Sequence, residues 1–318
     1  MPQKRILTMQ DLSCVGRCSL TVALPVLSAY GIETCVLPTA ILSNHTAFPR
    51  WSCLDLSEEA GRIMAAWREN GFRFDGFLTG YLGSPAAIDV ARACFQGFSE
   101  EGAPIVIDPA FGDYGRLYPA FDRSYVAAMG ELIRSAHILL PNFTEVCFLS
   151  GTEYQSAAPL AYMKEAVVRL SRMTPAAIVM TGAESGGQTG ELIYAGGEFT
   201  EVWTPLLPGR FHGTGDLFAA VFTAAYLQSG DLAGACGEAN RLVSESIAAT
   251  GDPCGCGVNF ERALANLRTR PGETPAEHPS PLRQGGAWYE KDSKAEGPAV
   301  PSGARGPSAH CREGRSVI

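Results

Sequence analysis

Short apolar runs alternate with amphipathic segments of helical length from the N-terminus to about residue 268. This alternation is typical of a mostly parallel β-sheet whose strands are connected by crossover helices. The apolar runs predict strands at Arg5–Met9, Thr34–Pro38, Gly76–Thr79, Pro104–Asp108, Ile138–Pro141 and Ala177–Thr181. The amphipathic segments predict helices near residues 18–30, 57–70, 84–98, 122–134, 157–173, 213–228 and 231–250.

Two further apolar runs predict an antiparallel hairpin near the end of this sheet. Gly190–Ala195 and Glu198–Thr204 flank a Gly-Gly turn, which is a typical hairpin connection. From about Arg270 the composition changes to Pro, Gly, Ser, Glu and Arg, with few apolar residues. Such a segment cannot bury enough surface to offset the entropy lost on ordering. We therefore expect one α/β domain over residues 1–269 and a disordered tail over 270–318.

The overall composition excludes several classes of partner. The formal net charge is −8, and no cluster of Lys and Arg provides the surface that a nucleic-acid backbone needs. Ten cysteines are scattered without the paired spacing of a zinc site, which indicates reduced thiols. The first apolar burst, Ile6–Met9, is too short for a signal peptide, and no run reaches membrane-spanning length. These features predict a cytoplasmic protein that binds neither nucleic acid nor membrane.

The most specific local pattern is a glycine turn that opens a helix of small residues. Gly213 and Gly215 allow a tight turn, and the free N–H groups of the next helical turn can bind anionic oxygens. Asp216 follows at once, so a carboxylate beside this anion site could accept a proton from an attacking alcohol. This arrangement suits phosphoryl transfer. The alternative is that Thr214 or Asp216 only caps a core helix.

Further polar residues follow predicted strands, where open α/β sheets bind their ligands. Asp108 closes one strand and Asp113 follows on the same loop, so the two carboxylates could hold Mg²⁺ and its waters. The alternative is an Asp-Pro turn with a helix cap. Asn142 and Glu145 follow the next strand with a spacing that fits either a metal–water site or a capping box. Thr181 ends a third strand and suits a hydrogen bond to a nucleotide phosphate or ribose.

Taken in order, these segments resemble the ribokinase-like superfamily, and within it the vitamin B6 kinases, the pyridoxal kinases in particular. The resemblance rests on Gln10 with Gly16, Leu42-Ser43-Asn44-His45-Thr46, Thr79-Gly80-Tyr81-Leu82-Gly83-Ser84, Asp108-Pro109-Ala110-Phe111-Gly112-Asp113, Pro141-Asn142-Phe143-Thr144-Glu145 and Gly213-Thr214-Gly215-Asp216. It implies a three-layer fold with a central, mostly parallel sheet and a short flap at residues 41–53 over the active site. It also implies ATP and Mg²⁺, a monovalent cation such as K⁺, and a homodimer.

The resemblance also implies roles for individual residues. Asp11, Thr46 and Tyr81 would line the pyridine-ring pocket. Asp216 would be the base for the 5′-hydroxymethyl group, assisted by Gly213, Thr214 and Gly215. The residues implied for the nucleotide and its Mg²⁺ are Asp108, Asp113, Asn142, Glu145, Thr181, Gly209, Arg210, Phe211 and His212, with Asp113 and Glu145 nearest the metal.

Two departures from the family pattern change the expected chemistry. Asp11 stands where many pyridoxal kinases have Ser, so the resemblance implies that a carboxylate faces the ring, and we expect a preference for pyridoxamine with its ammonium group. The loop at residues 208–212 contains no cysteine. Covalent capture of the pyridoxal aldehyde by a thiol is therefore not expected.

Three alternatives share much of this pattern. A hydroxymethylpyrimidine kinase of the same fold would act on a ring and alcohol of similar size. A non-catalytic sensor would bind vitamin or nucleotide without turnover. A sugar kinase of the superfamily would carry a β-sheet lid inserted early in the chain, and the sequence shows no clear insertion of that kind.

Overall fold

The eight predicted strands lie in one nine-stranded sheet in the computed structural model, which describes residues 3–251 and 256–267. The strands are β1 (Arg5–Ser13), β2 (Glu33–Leu42), β3 (Cys53–Asp55), β4 (Gly76–Thr79), β5 (Ile105–Ile107), β6 (Gly112–Asp113), β7 (Arg116–Leu117), β8 (Ile138–Leu139), β9 (Ala177–Ser185), β10 (Gln188–Ala195) and β11 (Glu198–Pro205). The helices are α1 (Leu20–Ala29), α2 (Ser57–Glu69), α3 (Pro85–Phe98), α4 (Arg123–Leu132), α5 (Phe143–Ser150), α6 (Leu160–Leu170), α7 (Thr214–Ser229), α8 (Leu232–Thr250) and α9 (Phe260–Leu267). The tail expected at 270–318 lies outside the described residues.

The strand order in the sheet is β11-β10-β9-β8-β5-β4-β1-β2-β3. The run from β9 to β2 is parallel throughout, as the alternation of strands and helices predicted. Antiparallel strands complete both edges, with β3 beside β2 and the predicted β10–β11 hairpin beside β9. Because β2 and β4 lie on opposite sides of β1, the chain changes direction across the sheet at β1. Ligands of open α/β sheets bind at the carboxyl ends of strands beside such a point.

Two apolar layers hold helices against the two faces of the sheet. Successive strand residues point to opposite faces, so Leu7 and Phe77 join one layer while Ile6 and Leu78 join the other. Helices α2 to α6 pack on the first layer, and α1, α7, α8 and α9 pack on the second. The sheet is therefore the middle of three layers, as expected.

Several elements differ from the prediction. Strand β9 does not end at Thr181 but continues to Ser185, because β10 pairs with its second half. Strand β2 continues to Leu42 and pairs with β3, which was not predicted because three residues carry too little alternation. The β6–β7 hairpin and α9 were also not predicted. These short elements depend on tertiary contacts rather than on a sequence period.

The loop between β2 and β3 occupies the position expected for the flap. Asn44 donates to the carbonyl of Arg50 at 3.0 Å, which closes the loop on itself. The His45 N–H donates to the carbonyl of Val15 at 2.8 Å and joins the loop to the segment after β1. In the part of the chain that the structure describes, no helix is both long and apolar enough to cross a membrane.

Candidate active site

Gly213 determines how the central turn is built. Its φ is 77°, and a Cβ atom there would lie 2.1 Å from the carbonyl oxygen of Arg17. Only glycine permits both the left-handed backbone and this close approach. Helix α7 begins at Thr214, whose hydroxyl donates to the carbonyl of Phe211 at 3.3 Å. No side chain caps the first N–H groups of α7, so the capping alternative for Thr214 and Asp216 is wrong.

Asp216 lies in the first turn of α7, beside these free N–H groups. It keeps some exposed surface, yet dense packing around its carboxylate raises its pKa to about 6. The backbone N–H of Ser19 opposes this rise, and the nearby charge of Asp11 adds to it. A carboxylate with this pKa is mostly ionised at neutral pH and accepts a proton more readily than an ordinary aspartate. Its placement is therefore suited to a general base.

Asp11 lies near the end of β1, close enough to Asp216 for the two charges to interact. Only 4% of its surface is exposed, and its Oδ2 accepts a hydrogen bond of 3.0 Å from the Ser13 hydroxyl. Burial raises the pKa of Asp11. Its backbone N–H donates to the carbonyl of Tyr81 at 3.2 Å, which joins two of the predicted pocket residues. Thr46 lies exposed on the flap.

Glu145 is buried beneath the carboxyl edge of the sheet, and both of its carboxylate oxygens accept hydrogen bonds from backbone N–H groups. Oε1 accepts from the N–H of Phe111 and Oε2 accepts from the N–H of Asn142, each at 2.9 Å. The Asn142 side chain in turn accepts from the Glu145 N–H at 3.0 Å, which completes a capping box. Burial raises the pKa of Glu145 to about 8. The capping interpretation is thus realised, and a role for Glu145 beside a metal stays a prediction.

Asp108 and Asp113 lie on the loop after β5. The pKa of Asp108 is raised well above its usual range by burial, and the charges of Glu145 and Asp216 add to the rise. Asp113 begins the turn of the β6–β7 hairpin and is exposed. Burial of its carboxyl group raises its pKa, while Arg210 and His212 oppose the rise. The loop therefore brings both predicted carboxylates to the same edge as Asp216.

This donor set fits a magnesium ion that arrives with a nucleotide. Among the described residues, no group of three His, Cys, Asp or Glu side chains is placed to hold a metal ion. Magnesium bound with a nucleotide needs only one or two carboxylates, because phosphates and waters supply the other ligands. Asp108 can be one of these carboxylates. Burial and the neighbouring carboxylates disfavour its negative charge, and a bound cation would offset that repulsion. Asp113 is the second carboxylate on the loop.

The segment before α7 forms the outer wall of the site. The Arg210 guanidinium lies over the Tyr114 ring, 4.4 Å from its centre, and both side chains line an open cleft of about 490 Å³. A neighbouring cleft of about 360 Å³ is lined by Glu184, by the same Tyr114 and Arg210, and by residues 206–209. Asp216 lines neither of these two clefts, whereas Asp113 lines the first.

The other residues predicted to bind the nucleotide do not all lie in the same surroundings. Phe211 is half-buried against the apolar layer of α7 and α8, beside Gly209. The ring of exposed His212 lies 4.9 Å from that of His45 and so connects this segment to the flap. Thr181 lies within β9 and donates its N–H to the carbonyl of Pro141. Arg17 pairs with Glu261 of α9 at 2.6 Å.

One residue near both acids was not singled out by the sequence pattern. Ser19 precedes α1, is 4% exposed, and lowers the pKa of Asp216 and of Asp11 against the rise caused by burial. Its φ of 49° is rare for a residue other than glycine. A pattern of residue types cannot reveal such a backbone conformation at a serine.

Comparison with known proteins identifies the family. The model of the phosphomethylpyrimidine kinase family matches residues 27–259. The chain belongs to this family. A pyridoxal kinase, PdxY of Granulibacter bethesdensis, is 31% identical over 240 residues, covering 71% of this chain and 82% of its own length.

Solved structures of the family have the same fold. A Bacteroides thetaiotaomicron protein, provisionally assigned as a phosphomethylpyrimidine kinase and crystallised with pyridoxal, superimposes with a TM-score of 0.79 at 36% identity, covering 85% of this chain and 98% of its own. The pyridoxal kinase of Leishmania donovani, in complex with ADP and pyridoxamine, gives a TM-score of 0.73 at 27% identity, covering 84% and 96%. The ribokinase-like fold expected from the sequence is confirmed.

Proposed function

We propose that this member of the phosphomethylpyrimidine kinase family is a pyridoxal kinase. It transfers the γ-phosphoryl group of ATP to the 5′-hydroxymethyl group of pyridoxal, pyridoxamine or pyridoxine. The relatives that carry this name span most of the chain, and one solved relative binds ADP together with a vitamin B6 form. The observation that carries the proposal is the place of Asp216, a carboxylate of raised pKa beside the free N–H groups that begin α7.

Asp216 has the geometry and the proton affinity for one defined step. The vitamin's ring would lie against Asp11 and Tyr81, with its alcohol directed at the Asp216 carboxylate. As the alcohol oxygen attacks the γ-phosphorus, its proton passes to Asp216 and the bond from the phosphorus to the bridging oxygen of ADP breaks. A base with a pKa near 6 is ionised before the step and can release the proton afterwards.

The backbone at the start of α7 supplies the electrostatic part of catalysis. The first N–H groups of α7 have no partner within the helix and face the same edge as Asp216. Donors that are fixed before the reaction stabilise charge on the transferring group without reorganising. Thr214 and Gly215 provide these amides, and Gly213 positions them by its contact with Arg17.

Asp108 and Asp113 would hold the magnesium ion, with Glu145 and Asn142 fixing the loop that carries them. When bound, Mg²⁺ neutralises part of the polyphosphate charge. Arg210 and His212 lie beside Asp113 and would face the outer phosphates, and Thr181 lies beside Asn142. The flap, through His45 and Thr46, would exclude water while the alcohol is aligned.

The family model itself favours one rival, a kinase for hydroxymethylpyrimidine. A coupled assay of ADP release with pyridoxal, pyridoxamine, pyridoxine and hydroxymethylpyrimidine distinguishes the two. We expect kcat/KM for the best vitamin B6 form to exceed that for the pyrimidine by at least ~10-fold, since the pocket contacts differ around the ring. The reverse order would replace the proposal with the rival. Tight binding of both ligands without ADP release would indicate a non-catalytic sensor.

Four further features are part of the proposal. A kinase domain is expected over residues 1–269. A homodimer, a cytoplasmic location and a requirement for a monovalent cation such as K⁺ are expected from the family resemblance. Sedimentation of the purified protein and assays with and without K⁺ test two of these directly.

A further inference from the structure

Residues 210–212, just before the turn that begins α7, contact two different loops of the proposed site. The Arg210 guanidinium lies 4.4 Å from the centre of the Tyr114 ring, on the β6–β7 hairpin. The ring of His212 lies 4.9 Å from that of His45 on the flap, at an angle of 55°. This short segment therefore bridges the hairpin and the flap.

The Arg210 end of this bridge lies beside the loop that would hold magnesium. Tyr114 directly follows Asp113 and donates its N–H to that carboxylate at 2.8 Å. Asp113, Tyr114 and Arg210 line the same cleft. The Gly115 N–H donates to the Thr144 hydroxyl at 2.9 Å, which ties the turn of the hairpin to α5. A nucleotide whose magnesium is held at Asp113 would therefore lie beside Arg210.

At the other end of the bridge, the His45 ring is fixed by the loop that carries it. Its Nδ1 accepts from the Ala47 N–H at 3.1 Å, which sets the orientation of the ring. Its backbone N–H donates to the Val15 carbonyl at 2.8 Å. A Cβ atom at Gly16 would lie 2.9 Å from the His45 Cβ, so the segment after β1 packs directly against this residue. A vitamin bound beside Thr46, the next residue, would therefore also fix the His45 ring.

The backbone around His212 is anchored as well. Its carbonyl accepts from the Val258 N–H at 3.2 Å, and the next residue, Gly213, lies against the Arg17 carbonyl. On the other side, Phe211 is half-buried against the apolar layer of α7 and α8. Aromatic rings at the separation of this histidine pair attract one another. The two rings therefore meet from anchored backbones.

We propose that His212 is a positioning residue that couples the two ligands, because its contact with His45 joins the segment beside the nucleotide to the flap over the vitamin. A ligand that fixes one loop lowers the entropy cost of fixing another loop in contact with it. ADP should therefore tighten the binding of pyridoxal, and pyridoxal should tighten the binding of ADP by the same factor. This inference rests on the proposed function for the places of the two ligands.

Equilibrium binding measures this coupling without any turnover. Isothermal titration calorimetry gives the Kd of pyridoxal with and without saturating ADP and Mg²⁺, and the Kd of ADP with and without pyridoxal. We expect the wild type to bind pyridoxal at least ~5-fold more tightly when ADP is present. In His212→Ala this ratio of Kd values should fall below ~2. His212→Phe keeps a ring against His45 and should retain most of the wild-type ratio.

Two further variants show whether the contact itself is responsible. His45→Ala, alone or combined with His212→Ala, should give the same ratio as His212→Ala, because each of these variants removes one shared contact. Phe72→Ala is the control. Phe72 is 40% exposed and precedes β4, at the amino end of the strands and away from the site, so its loss should leave the ratio unchanged.

The possible failures are distinguishable. A wild-type ratio in His212→Ala would overturn the proposal, since the ligands would then influence each other without this contact. A ratio near 1 in the wild type, with both ligands bound, would overturn the proposal and leave the proposed function intact. Should the wild type bind neither ADP nor any vitamin B6 form, the proposed function fails and the coupling fails with it. Should His212→Ala not fold, as judged by circular dichroism, His45→Ala takes its place.

Discussion

The carboxylates of Asp11, Asp108 and Asp216 share one edge of the sheet, and each is harder to ionise than a carboxylate in water. Burial raises the pKa of each, and the charge of a neighbouring carboxylate adds to the rise at Asp108 and Asp216. Carboxylates held in this way gain stability from an added positive charge. The site therefore favours cationic ligands, such as Mg²⁺ at Asp108 and an ammonium group at Asp11.

The preference among vitamin B6 forms should depend on Asp11. In Asp11→Ser we expect the ratio of kcat/KM for pyridoxamine to that for pyridoxal to fall by ~5-fold or more, because one charged contact to the ammonium group is lost. Asp89→Ser, at an exposed position on α3, makes the same change of net charge and serves as the control. Steady-state assays with both substrates give the ratios. Equal ratios in wild type and Asp11→Ser would remove the basis for this preference.

Individual residues of the site could be predicted where residue type and strand position coincide. Asp108, Asn142 and Asp216 each follow a strand or a glycine turn, so their place at the carboxyl edge followed from the alternation of elements. The choice between capping and metal binding at Glu145 needed the structure, because the spacing of residues fits both. Ser19 was missed because its unusual feature is a backbone dihedral angle, which a pattern of residue types does not reveal.

At the scale of elements, α7 carries the proposed base, and a glycine with a left-handed backbone stands at each of its ends. Gly213 before the helix and Gly230 after it have φ values of 77° and 71°. A Cβ atom at Gly230 would meet nothing within 4 Å, whereas one at Gly213 would lie 2.1 Å from the Arg17 carbonyl oxygen. Alanine substitutions at these two glycines therefore distinguish the free-energy cost of a left-handed backbone from the cost of a steric clash.

Alanine at these two glycines should have different effects. We expect Gly230→Ala to lower the free energy of unfolding by ~1 kcal/mol, which is the cost of the backbone conformation. Gly213→Ala should lower it by ~3 kcal/mol, because the segment around Arg17 must also move. Urea denaturation followed by circular dichroism measures both values. Equal losses in the two variants would show that the contact with Arg17 is not tight in solution.

The order and type of the long elements could be predicted because each carries a clear period. The ends of elements could not, since β9 and β2 are extended by pairing with β10 and β3. The β6–β7 hairpin has two residues in each strand and depends on Gly112, whose missing Cβ leaves room for the Arg116 carbonyl. Such contacts are set by the tertiary structure.

At the scale of the whole molecule, one buried acid outside the proposed site should make stability depend on pH. Glu191 of β10 is 3% exposed and accepts a hydrogen bond of 2.6 Å from Asn240 of α8. Burial raises its pKa to about 8. The folded protein therefore keeps this group protonated at a pH where the unfolded chain has released the proton. Its contribution to stability is full below pH ~4.5 and is lost as the pH rises through about 8.

Thermal unfolding should reveal this dependence. As the pH rises from ~5 to ~8, the Tm of the wild type should fall relative to that of Glu191→Gln by a few degrees, since ~1 kcal/mol shifts Tm by ~2–4 °C in a chain of this size. The amide of Gln keeps the shape and does not ionise. Glu198→Gln, exposed on β11, is the control and should follow the wild type. Parallel curves for wild type and Glu191→Gln would show that Glu191 is ionised in the folded protein.

The most direct test of the central claim is the rate of a single turnover from ATP to pyridoxal in wild type and Asp216→Asn, measured as a function of pH. In the wild type the rate should rise through a midpoint at about 6, because only ionised Asp216 accepts the proton. In Asp216→Asn the rate should fall at least ~100-fold and lose this midpoint, while ADP and pyridoxal still bind in calorimetry. A variant that keeps a rate within a few-fold of the wild type would contradict the assignment of Asp216 as the base.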